Sequence, residues 1–239
     1  MGSKAELVAR ETVIVDGRYT KASPMRKNAY LFIKRAFDII FAIIMLIVTL
    51  PIIIPVALLI FLTDRGPVFY KQERTGRYGK TFKILKLRSC VRNNEELAQD
   101  SYTWIGKIIR KTSIDELPQL INILRGEMSL IGPRPWITDY YKNMNSYERR
   151  RYDVLPGITG LAQASGRNDI SIFDKIQHDI EYVDHCSFAL DLKILWRTFI
   201  SVLIHEGVEG GKGTIEDEIE ALQDEQYKSR GVKIVNLFD

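Results

Sequence analysis

The chain has 239 residues and a net charge of +4, which is enough for one domain with additional segments but too weakly basic to predict nucleic-acid binding. Hydrophobic residues make up 46% and charged residues 27%, an ordinary globular balance that permits a buried core. The 2 cysteines and 3 histidines lack the paired spacing of a zinc or redox site, which argues against a metal centre built on them.

Residues 1–29 form a polar N-terminal extension with one β-like stretch, Val13 to Val15, before an Asp16-Gly17 turn signal. The segment from Ile39 to Leu62 then has no charged residue over 24 positions. A hydrocarbon core takes about 20 such residues as a helix, and helices of soluble proteins rarely stay apolar on every face for that long. Residues 30–64 are therefore predicted to be a membrane helix.

Two features predict that this helix re-enters one face of the membrane, against the alternative that it spans the bilayer. Pro51, near the middle of the run, removes a backbone donor, so a break with a sharp bend is expected there. The flanks 1–35 and 63–88 each carry eight lysines or arginines, and basic flanks prefer the cytoplasm. Thr49, just before the bend, is placed to bond to a freed backbone group.

Lys34, Arg35 and Asp38 lie at the start of the membrane segment. The two cations are expected at the lipid headgroups, whose phosphates attract them. A carboxylate at the position of Asp38 is costly unless it is paired, and Arg35 at i−3 is the obvious partner. The alternative is that Asp38 only marks the membrane boundary.

Residues 65–206 are predicted to be a cytosolic catalytic domain, and residues 207–239 a linker with an acidic tail. The fold class is therefore α+β, mostly helical with a few short strands, beside one re-entrant membrane helix. Leu192, Leu195, Trp196, Phe199 and Ile200 form an apolar stripe that fits either a core or a membrane surface. Strands are predicted at 68–70 and 82–88, helices at 93–111, 115–125, 139–153, 172–186, 189–205 and 215–228, and a glycine-containing loop at 157–166.

The main chemical candidate is a pair of adjacent carboxylates, Asp115 and Glu116, at a predicted helix start. Pro118 is tolerated only in a first helical turn, so the pair lies at or beside the helix N-terminus, where negative charge is favoured. One interpretation is N-capping. The other is a nucleophilic carboxylate in a site that attracts phosphate, with the pair also binding a divalent cation such as Mg²⁺.

Four basic residues are candidates for phosphate binding. Arg134 sits between two prolines, so that it is either a rigid fork for phosphate oxygens or a solvated residue of a structural turn. Arg167 follows the glycines of the predicted loop, which allow a ligand to approach the backbone. Lys86 and Arg88 share one face of a predicted strand and form either an interfacial basic patch or plain solvated charge.

These motifs occur together and in a recognisable order, which is far more specific than any one of them. The ordered set resembles the bacterial sugar transferase family, the monotopic polyprenyl-phosphate phosphoglycosyl transferases, over roughly residues 30–205. It consists of Lys34-Arg35-x-x-Asp38, Gly66-Pro67-Val68-Phe69, Phe82 to Ser89, Asp115 to Leu120, Met128 to Pro135 and Pro156 to Gly160.

The resemblance implies a mechanism. Asp115 is expected to attack the sugar-linked phosphorus of a UDP-sugar, UMP leaves, and the covalent phosphosugar–aspartyl enzyme passes the sugar phosphate to polyprenyl (undecaprenyl) phosphate. The resemblance also implies that Glu116 binds Mg²⁺ or handles a proton, and that Arg134 and Arg167 hold phosphate. It further implies a bacterial inner membrane protein, with its catalytic domain on the cytoplasmic face, that initiates the synthesis of a surface glycan.

The chain departs from the family pattern at Thr49-Leu50, where a serine usually precedes the proline, at Arg74-Thr75-Gly76, usually Arg-Pro-Gly, and at Leu161, often tryptophan. The competing hypothesis is an inactive membrane adaptor that binds lipid phosphate or a glycosyltransferase, and the intact carboxylate pair argues against it. The sugar, the glycan pathway and the oligomeric state stay open, so a homo-oligomer or a downstream glycosyltransferase remains a candidate partner.

Overall fold

The computed structural model describes residues 14–15, 18–19, 24–91, 102–165, 170–203 and 214–223. The chain divides into two compact units, residues 1–37 and 38–239. In the first unit, β1 (Ile14–Val15) pairs antiparallel with β2 (Arg18–Tyr19), which confirms the short β-like stretch. Several predicted features lie outside the described residues: Arg167, residues 93–101 of the helix predicted at 93–111, residues 204–205 of the helix predicted at 189–205, residues 207–213 of the linker and residues 224–228 of the tail helix.

Helix α1 (Pro24–Asp64) carries the predicted membrane segment. Its part from Ala29 to Thr63 is long and apolar enough to cross a membrane. The helix has no interruption at Pro51, so the bend predicted there stays a prediction. The Thr49 hydroxyl donates to the Met45 carbonyl at 2.6 Å, and a bond of this kind favours a slight bend.

Strands β3 (Phe69–Thr75) and β4 (Thr81–Leu87) form an antiparallel hairpin. The register runs from Phe69 opposite Leu87 to Thr75 opposite Thr81. The strand predicted at 82–88 is confirmed, and the strand predicted at 68–70 extends to Thr75. The turn between them contains Tyr78 in the left-handed region, with a φ of 58°.

The helix predicted at 115–125 is split in the structure. Helix α2 (Trp104–Lys111) is followed by a 3-10 turn, Ile114–Glu116, and then by α3 (Gln119–Leu124). The break falls at Leu117 and Pro118, which lie between the turn and α3, whereas the left-handed Ser113 separates the turn from α2.

A buried asparagine joins α3 to β4. Asn122 is fully buried, its Oδ1 accepts a hydrogen bond from Leu85 N at 3.0 Å, and its Nδ2 donates to Lys83 O at 2.9 Å. These bonds satisfy polar groups that would be costly to bury unpaired. They fix the position of the turn Ile114–Glu116 relative to Lys86, the next polar residue of β4.

Part of the predicted loop 157–166 is regular structure. β6 (Gly157–Thr159) pairs in parallel with β5 (Ser129–Ile131), and α5 (Leu161–Ala164) follows. A Cβ atom on Gly157 would lie 2.2 Å from the Gly132 nitrogen. This glycine therefore allows two backbone segments to pack closely, and its predicted role in admitting a ligand is wrong.

Four further helices complete the described chain. The helix predicted at 139–153 is divided into α4 (Thr138–Asn143) and a 3-10 helix, because Asn145 and Glu148 bond reciprocally to each other's backbone nitrogens and start a new turn. The helices predicted at 172–186, 189–205 and 215–228 are confirmed as α6 (Ile172–His185), α7 (Phe188–Leu203) and α8 (Ile215–Gln223).

Asp38 connects α1 to β5. Its carboxylate is 2% exposed, and it accepts hydrogen bonds from Ser129 Oγ at 2.7 Å and from Leu130 N at 3.1 Å. These two bonds offset the cost of burying the charge, so Asp38 does more than mark the membrane boundary. Its pairing with Arg35 stays a prediction.

Two parts of α1 pack into hydrophobic clusters of the second unit. Ala42 belongs to the main cluster, with Ile84 of β4 and Leu130 of β5 among its members. Ile60, eighteen residues later, belongs to another cluster that contains Leu87 of β4. Strand β4 therefore contributes to the packing of both parts of the helix.

Helix α7 carries the apolar stripe for which the sequence allowed two interpretations, a packed core or a membrane surface. Leu192 is 69%, Trp196 64%, Phe199 56% and Ile200 38% exposed, so the interpretation of these four residues as core is wrong. Leu195, the fifth member of the stripe, is partly buried and packs against the main hydrophobic cluster. The opposite side of the helix is buried at Asp191 and Ile194.

Candidate active site

Asp115 and Glu116 lie on the turn Ile114–Glu116 between α2 and α3. Asp115 is buried, with 7% of its surface exposed. No side chain caps the turn or α3, and Asp115 accepts no hydrogen bond from a described residue. The N-capping interpretation of the pair is therefore wrong, and the Asp115 carboxylate is available for chemistry.

Glu116 holds two of the predicted phosphate-binding residues. Its Oε1 accepts hydrogen bonds from Lys86 Nζ at 2.7 Å and from Arg134 Nη2 at 3.0 Å. Burial alone raises the pKa of the Glu116 carboxyl, but Arg134 and Lys86 outweigh burial and hold this pKa well below its usual range. The structure thus brings together residues from β4, the carboxylate turn and the segment after β5.

Asp115 lies in a less favourable electrostatic environment than Glu116. Burial, and then the neighbouring Glu116, raise the pKa of the Asp115 carboxyl to about 6, whereas Lys86, Arg110 and Arg134 act to lower it. Arg110, on the last turn of α2, is a cation near the carboxylate pair that the sequence analysis did not single out. A cation or an electrophilic phosphorus at Asp115 would relieve this unfavourable charge.

The carboxylate pair fits a Mg²⁺ ion. This ion takes one or two protein carboxylates and completes its shell with water and substrate phosphate. Asp115 has a free carboxylate, and Glu116 Oε2 accepts no hydrogen bond from a described residue. In the described part of the chain, no group of three or more histidine, cysteine, aspartate or glutamate side chains is placed to hold a metal ion.

Arg134 is held in place by a buried ion pair behind it. Arg151 Nη2 donates to the Arg134 carbonyl at 2.9 Å, and Arg151 Nε donates to Asp179 Oδ2 at 2.9 Å. The Arg151 guanidinium also lies 3.6 Å from the centre of the Trp136 ring. The turn that carries Arg134 is therefore anchored in the core, by residues that the sequence analysis did not single out.

Arg74, near the end of β3, is a further arginine beside Arg134. Thr75 N donates to Trp136 O at 2.9 Å, which joins β3 to the segment that follows Arg134. Arg74 Nη2 donates to the Gln72 side chain, but its buried Nε has no hydrogen-bond partner. Burial, and then Arg134, lower the pKa of the Arg74 guanidinium to about 10. The only sequence signal for Arg74 was its place in Arg74-Thr75-Gly76.

The remaining predicted residues lie apart from this cluster or outside the described chain. The Arg88 guanidinium lies against Gly66, where an added Cβ would be 2.3 Å from Nη1. Arg167 is outside the described residues. Lys34 and Arg35 lie on α1, and their contact with lipid headgroups stays a prediction.

The sequence matches known proteins over most of its length. The family model described as "Bacterial sugar transferase" matches residues 29–205. The "Uncharacterized sugar transferase EpsL" of Bacillus subtilis is 45% identical over 184 residues, which cover 75% of this chain and 91% of that protein. The "UDP-glucose:undecaprenyl-phosphate glucose-1-phosphate transferase" of Caulobacter vibrioides is 40% identical, over 75% of this chain and 73% of that protein.

A third relative is longer than this chain. The "Undecaprenyl-phosphate galactose phosphotransferase" of Salmonella typhimurium is 37% identical, over 77% of this chain and 43% of that protein. The region shared with all three relatives is of the size that the family model matches. The chain belongs to the bacterial sugar transferase family and is a transferase of the phosphoglycosyl transferase type.

Proposed function

We propose that this protein transfers a sugar-1-phosphate from a UDP-sugar to undecaprenyl phosphate, with Asp115 as the nucleophile. The observation that carries the proposal is the buried Asp115 carboxylate, without a hydrogen-bond donor among the described residues, beside a Glu116 that holds Lys86 and Arg134. A nucleophile surrounded by cations suits phosphoryl transfer, which depends on positioning and charge stabilisation. The relatives' names support the donor and acceptor classes.

In the first step, an Asp115 carboxylate oxygen attacks the sugar-linked phosphorus of the UDP-sugar. The bond between that phosphorus and the bridging diphosphate oxygen breaks, and UMP leaves with the bonding electron pair. The sugar phosphate is then joined to Asp115 as an acyl phosphate. Arg134 and Lys86 are placed to hold the phosphate oxygens during this displacement.

In the second step, a phosphate oxygen of undecaprenyl phosphate attacks the same phosphorus. The bond from phosphorus to Asp115 breaks, which regenerates the carboxylate and gives undecaprenyl diphosphate sugar. Both displacements occur at one phosphorus, so the acceptor phosphate takes the position that UMP has left. Such a product is the first lipid-linked intermediate of a surface glycan, in keeping with relatives named exopolysaccharide production proteins.

Asp115 and Glu116 are the residues that would hold Mg²⁺. The bound ion would supply positive charge to the diphosphate and to the departing UMP. Glu116 has a second role that needs no proton transfer, because its low pKa keeps it ionised at neutral pH and its charge holds Lys86 and Arg134 in place.

We further propose that α1 enters and leaves the membrane by the same face. Phe41 and Ala42 pack in one cluster of the second unit, and Val56 and Ile60 pack in another, and β4 contributes to both. Because one domain lies on one side of a membrane, these contacts support a re-entrant helix over a spanning one. The equal basic flanks assign that face to the cytoplasm.

The exposed apolar stripes support a domain that lies on the cytoplasmic surface of the bacterial inner membrane. Leu192, Trp196 and Phe199 are exposed on α7, and Trp104 and Ile108 are exposed on α2. Apolar stripes that contain tryptophan are typical of helices in the membrane interface. With the domain on the membrane surface, the turn Ile114–Glu116 would lie level with the lipid headgroups, where the acceptor phosphate is.

The test is UMP release from a panel of UDP-sugars by the full chain in detergent, with Mg²⁺, with and without undecaprenyl phosphate. Without the lipid we expect at most one UMP per protein, and with it continuous turnover for the preferred sugar. Asp115→Asn should release none, whereas Asp139→Asn, at an exposed aspartate that pairs with Lys142, should match the wild type. Turnover by Asp115→Asn contradicts the covalent mechanism, and no UMP from folded wild type contradicts the donor class.

A further inference from the structure

The charges in the active site do not balance among the described residues. Lys86 and Arg134 both donate to the same oxygen of Glu116. Arg74 adds a third positive charge, and its guanidinium donates to the neutral side chain of Gln72. Within the described part of the chain, the buried Nε of Arg74 has no acceptor. A buried donor on a charged group is costly to leave unpaired. We therefore expect an anion from outside the chain to bind Arg74.

The hairpin places Arg74 on the same face as Lys86. Tyr70 is directly opposite Lys86, and Arg74 lies four residues further along β3. Side chains alternate between the faces of a strand, so Tyr70, Gln72 and Arg74 share the face of Lys86. Four residues of strand span about 13 Å. The long side chains of Arg74 and Lys86 can extend towards each other over this distance.

The segment after β5 brings Arg134 to the same place. The bond between Thr75 N and Trp136 O fixes this segment beside the end of β3, one residue from Arg74 and two from Arg134. Arg134 lies near enough for its charge to lower the pKa of the Arg74 guanidinium. Neighbouring arginines are suited to binding phosphate groups, because the phosphate oxygens can accept hydrogen bonds from both guanidinium groups.

We infer that Arg74 binds the diphosphate of the nucleotide sugar together with Arg134. The inference rests on the proposed function, since it assigns Arg74 to the donor of that reaction. Arg134 remains bonded to Glu116 beside the nucleophile, and Arg74 extends the cationic surface away from it along β3. A diphosphate with two charged phosphates has a group for each arginine, whereas a single phosphate does not.

The inference predicts a specific loss of diphosphate affinity. The full chain in detergent with Mg²⁺ is titrated calorimetrically with UDP and with UMP. Arg74→Gln should weaken UDP binding by about ten- to a hundredfold, the value of a charge-assisted hydrogen bond, and should weaken UMP binding less. Arg77→Gln is the matched control, because Arg77 is three residues away and bonds to Asp153 O and to Tyr78. It should bind UDP like the wild type.

The outcomes separate the two proposals. Equal UDP affinity in Arg74→Gln and wild type, with UMP release intact in the wild type, overturns the assignment of Arg74 alone. Absence of UDP binding and of UMP release in the folded wild type overturns the proposed function and the inference together. If Arg74→Gln does not fold, Arg74→Lys keeps the charge but loses the planar fork. It should still bind UDP more weakly than wild type, and unchanged affinity would again overturn the assignment.

Discussion

Asp115 and Glu116 are consecutive residues of one turn, yet their carboxyl pKa values are shifted in opposite directions. Burial and the Glu116 charge raise the pKa of Asp115, whereas Arg134 and Lys86 hold that of Glu116 low. Two carboxylates with divergent pKa values are suited to different roles. Glu116 stays ionised and holds the cations, whereas Asp115, the proposed nucleophile, becomes charged only as the pH approaches neutrality.

The first prediction concerns the pH dependence of catalysis. UMP release should fall as the pH decreases through about 6, because protonation removes the nucleophilic form of Asp115. The measurement is kcat/KM from about pH 5 to about pH 8. The pKa of Asp115 in the free enzyme should appear as the acid limb of this profile, the pH range over which kcat/KM falls. Raising the Mg²⁺ concentration should move the limb to lower pH, since a cation favours the ionised carboxylate. A rate that is constant over this range contradicts the assignment.

The second prediction is that removing the Asp115 charge stabilises the fold. The folded-state pKa of about 6 exceeds the ordinary value of 3.8, so the ionised carboxylate costs stability above both values. Asp115→Asn should therefore increase the free energy of unfolding at neutral pH by about 1–3 kcal/mol. The gain should shrink as the pH falls below 6 and vanish below about 4, where both states are protonated. Thermal unfolding in detergent at several pH values measures it.

Glu116→Gln is the matched control for this measurement, with the opposite sign. In the wild type, the pKa of the Glu116 carboxyl is depressed in the folded state, so the Glu116 charge contributes stability at pH values above the ordinary pKa of 4.5. The variant should lose about 1–3 kcal/mol at neutral pH, because Lys86 and Arg134 lose the charged oxygen to which both donate hydrogen bonds. That difference should diminish as the pH falls through 4.5. Stabilisation by both variants, or by neither, would show that the two environments do not differ.

The third prediction is that Asp38 is a stability residue. Asp38→Ala removes the acceptor for Ser129 Oγ and Leu130 N, both in the core beside β5. The free energy of unfolding should fall by about 2–4 kcal/mol, since buried donors are left unpaired. Ser129→Ala, which removes one of the two bonds, should cost less. Equal unfolding midpoints for wild type and Asp38→Ala contradict this role.

The fourth prediction tests the re-entrant helix. Cys90 and Cys186 are free thiols, so both are first replaced by serine. Single cysteines are then introduced at Lys27 and Arg65, on the two sides of the apolar run. A membrane-impermeant thiol reagent should label neither in intact cells and both in inverted vesicles. Labelling of one position in each preparation means that α1 spans the bilayer.

The sequence predicted the elements that have a strong local signal. The apolar run became α1, and the 3.6-residue pattern became α6 and α7. The division of the predicted helix 115–125 into a 3-10 turn and α3 had no such signal. The strands β5 and β6 have only three residues each and pair across a long stretch of chain, so short-range patterning does not reveal them.

The sequence predicted both carboxylates of the candidate site, but only some of its basic residues. Asp115 and Glu116 are adjacent, so their association needs no tertiary information. Lys86 and Arg134 were predicted singly, and their meeting at Glu116 depends on the packing of β4 against α3. Arg151 looked like one of several arginines in a charged helix, and its burial against Asp179 arises from contacts 28 residues apart. Arg74 can be recognised as a residue of the candidate site only from its position beside Arg134 in the structure.

The bond between Asp38 and β5 has a mechanical consequence. β5 ends at Ile131, and the chain runs from there through Gly132 and Pro133 to Arg134. A displacement of α1 along the membrane normal is therefore expected to shift Arg134 through one strand and the turn Gly132-Pro133. Lipid thickness sets the depth of α1, so we expect acyl-chain length to alter donor affinity in an enzyme whose donor never enters the lipid.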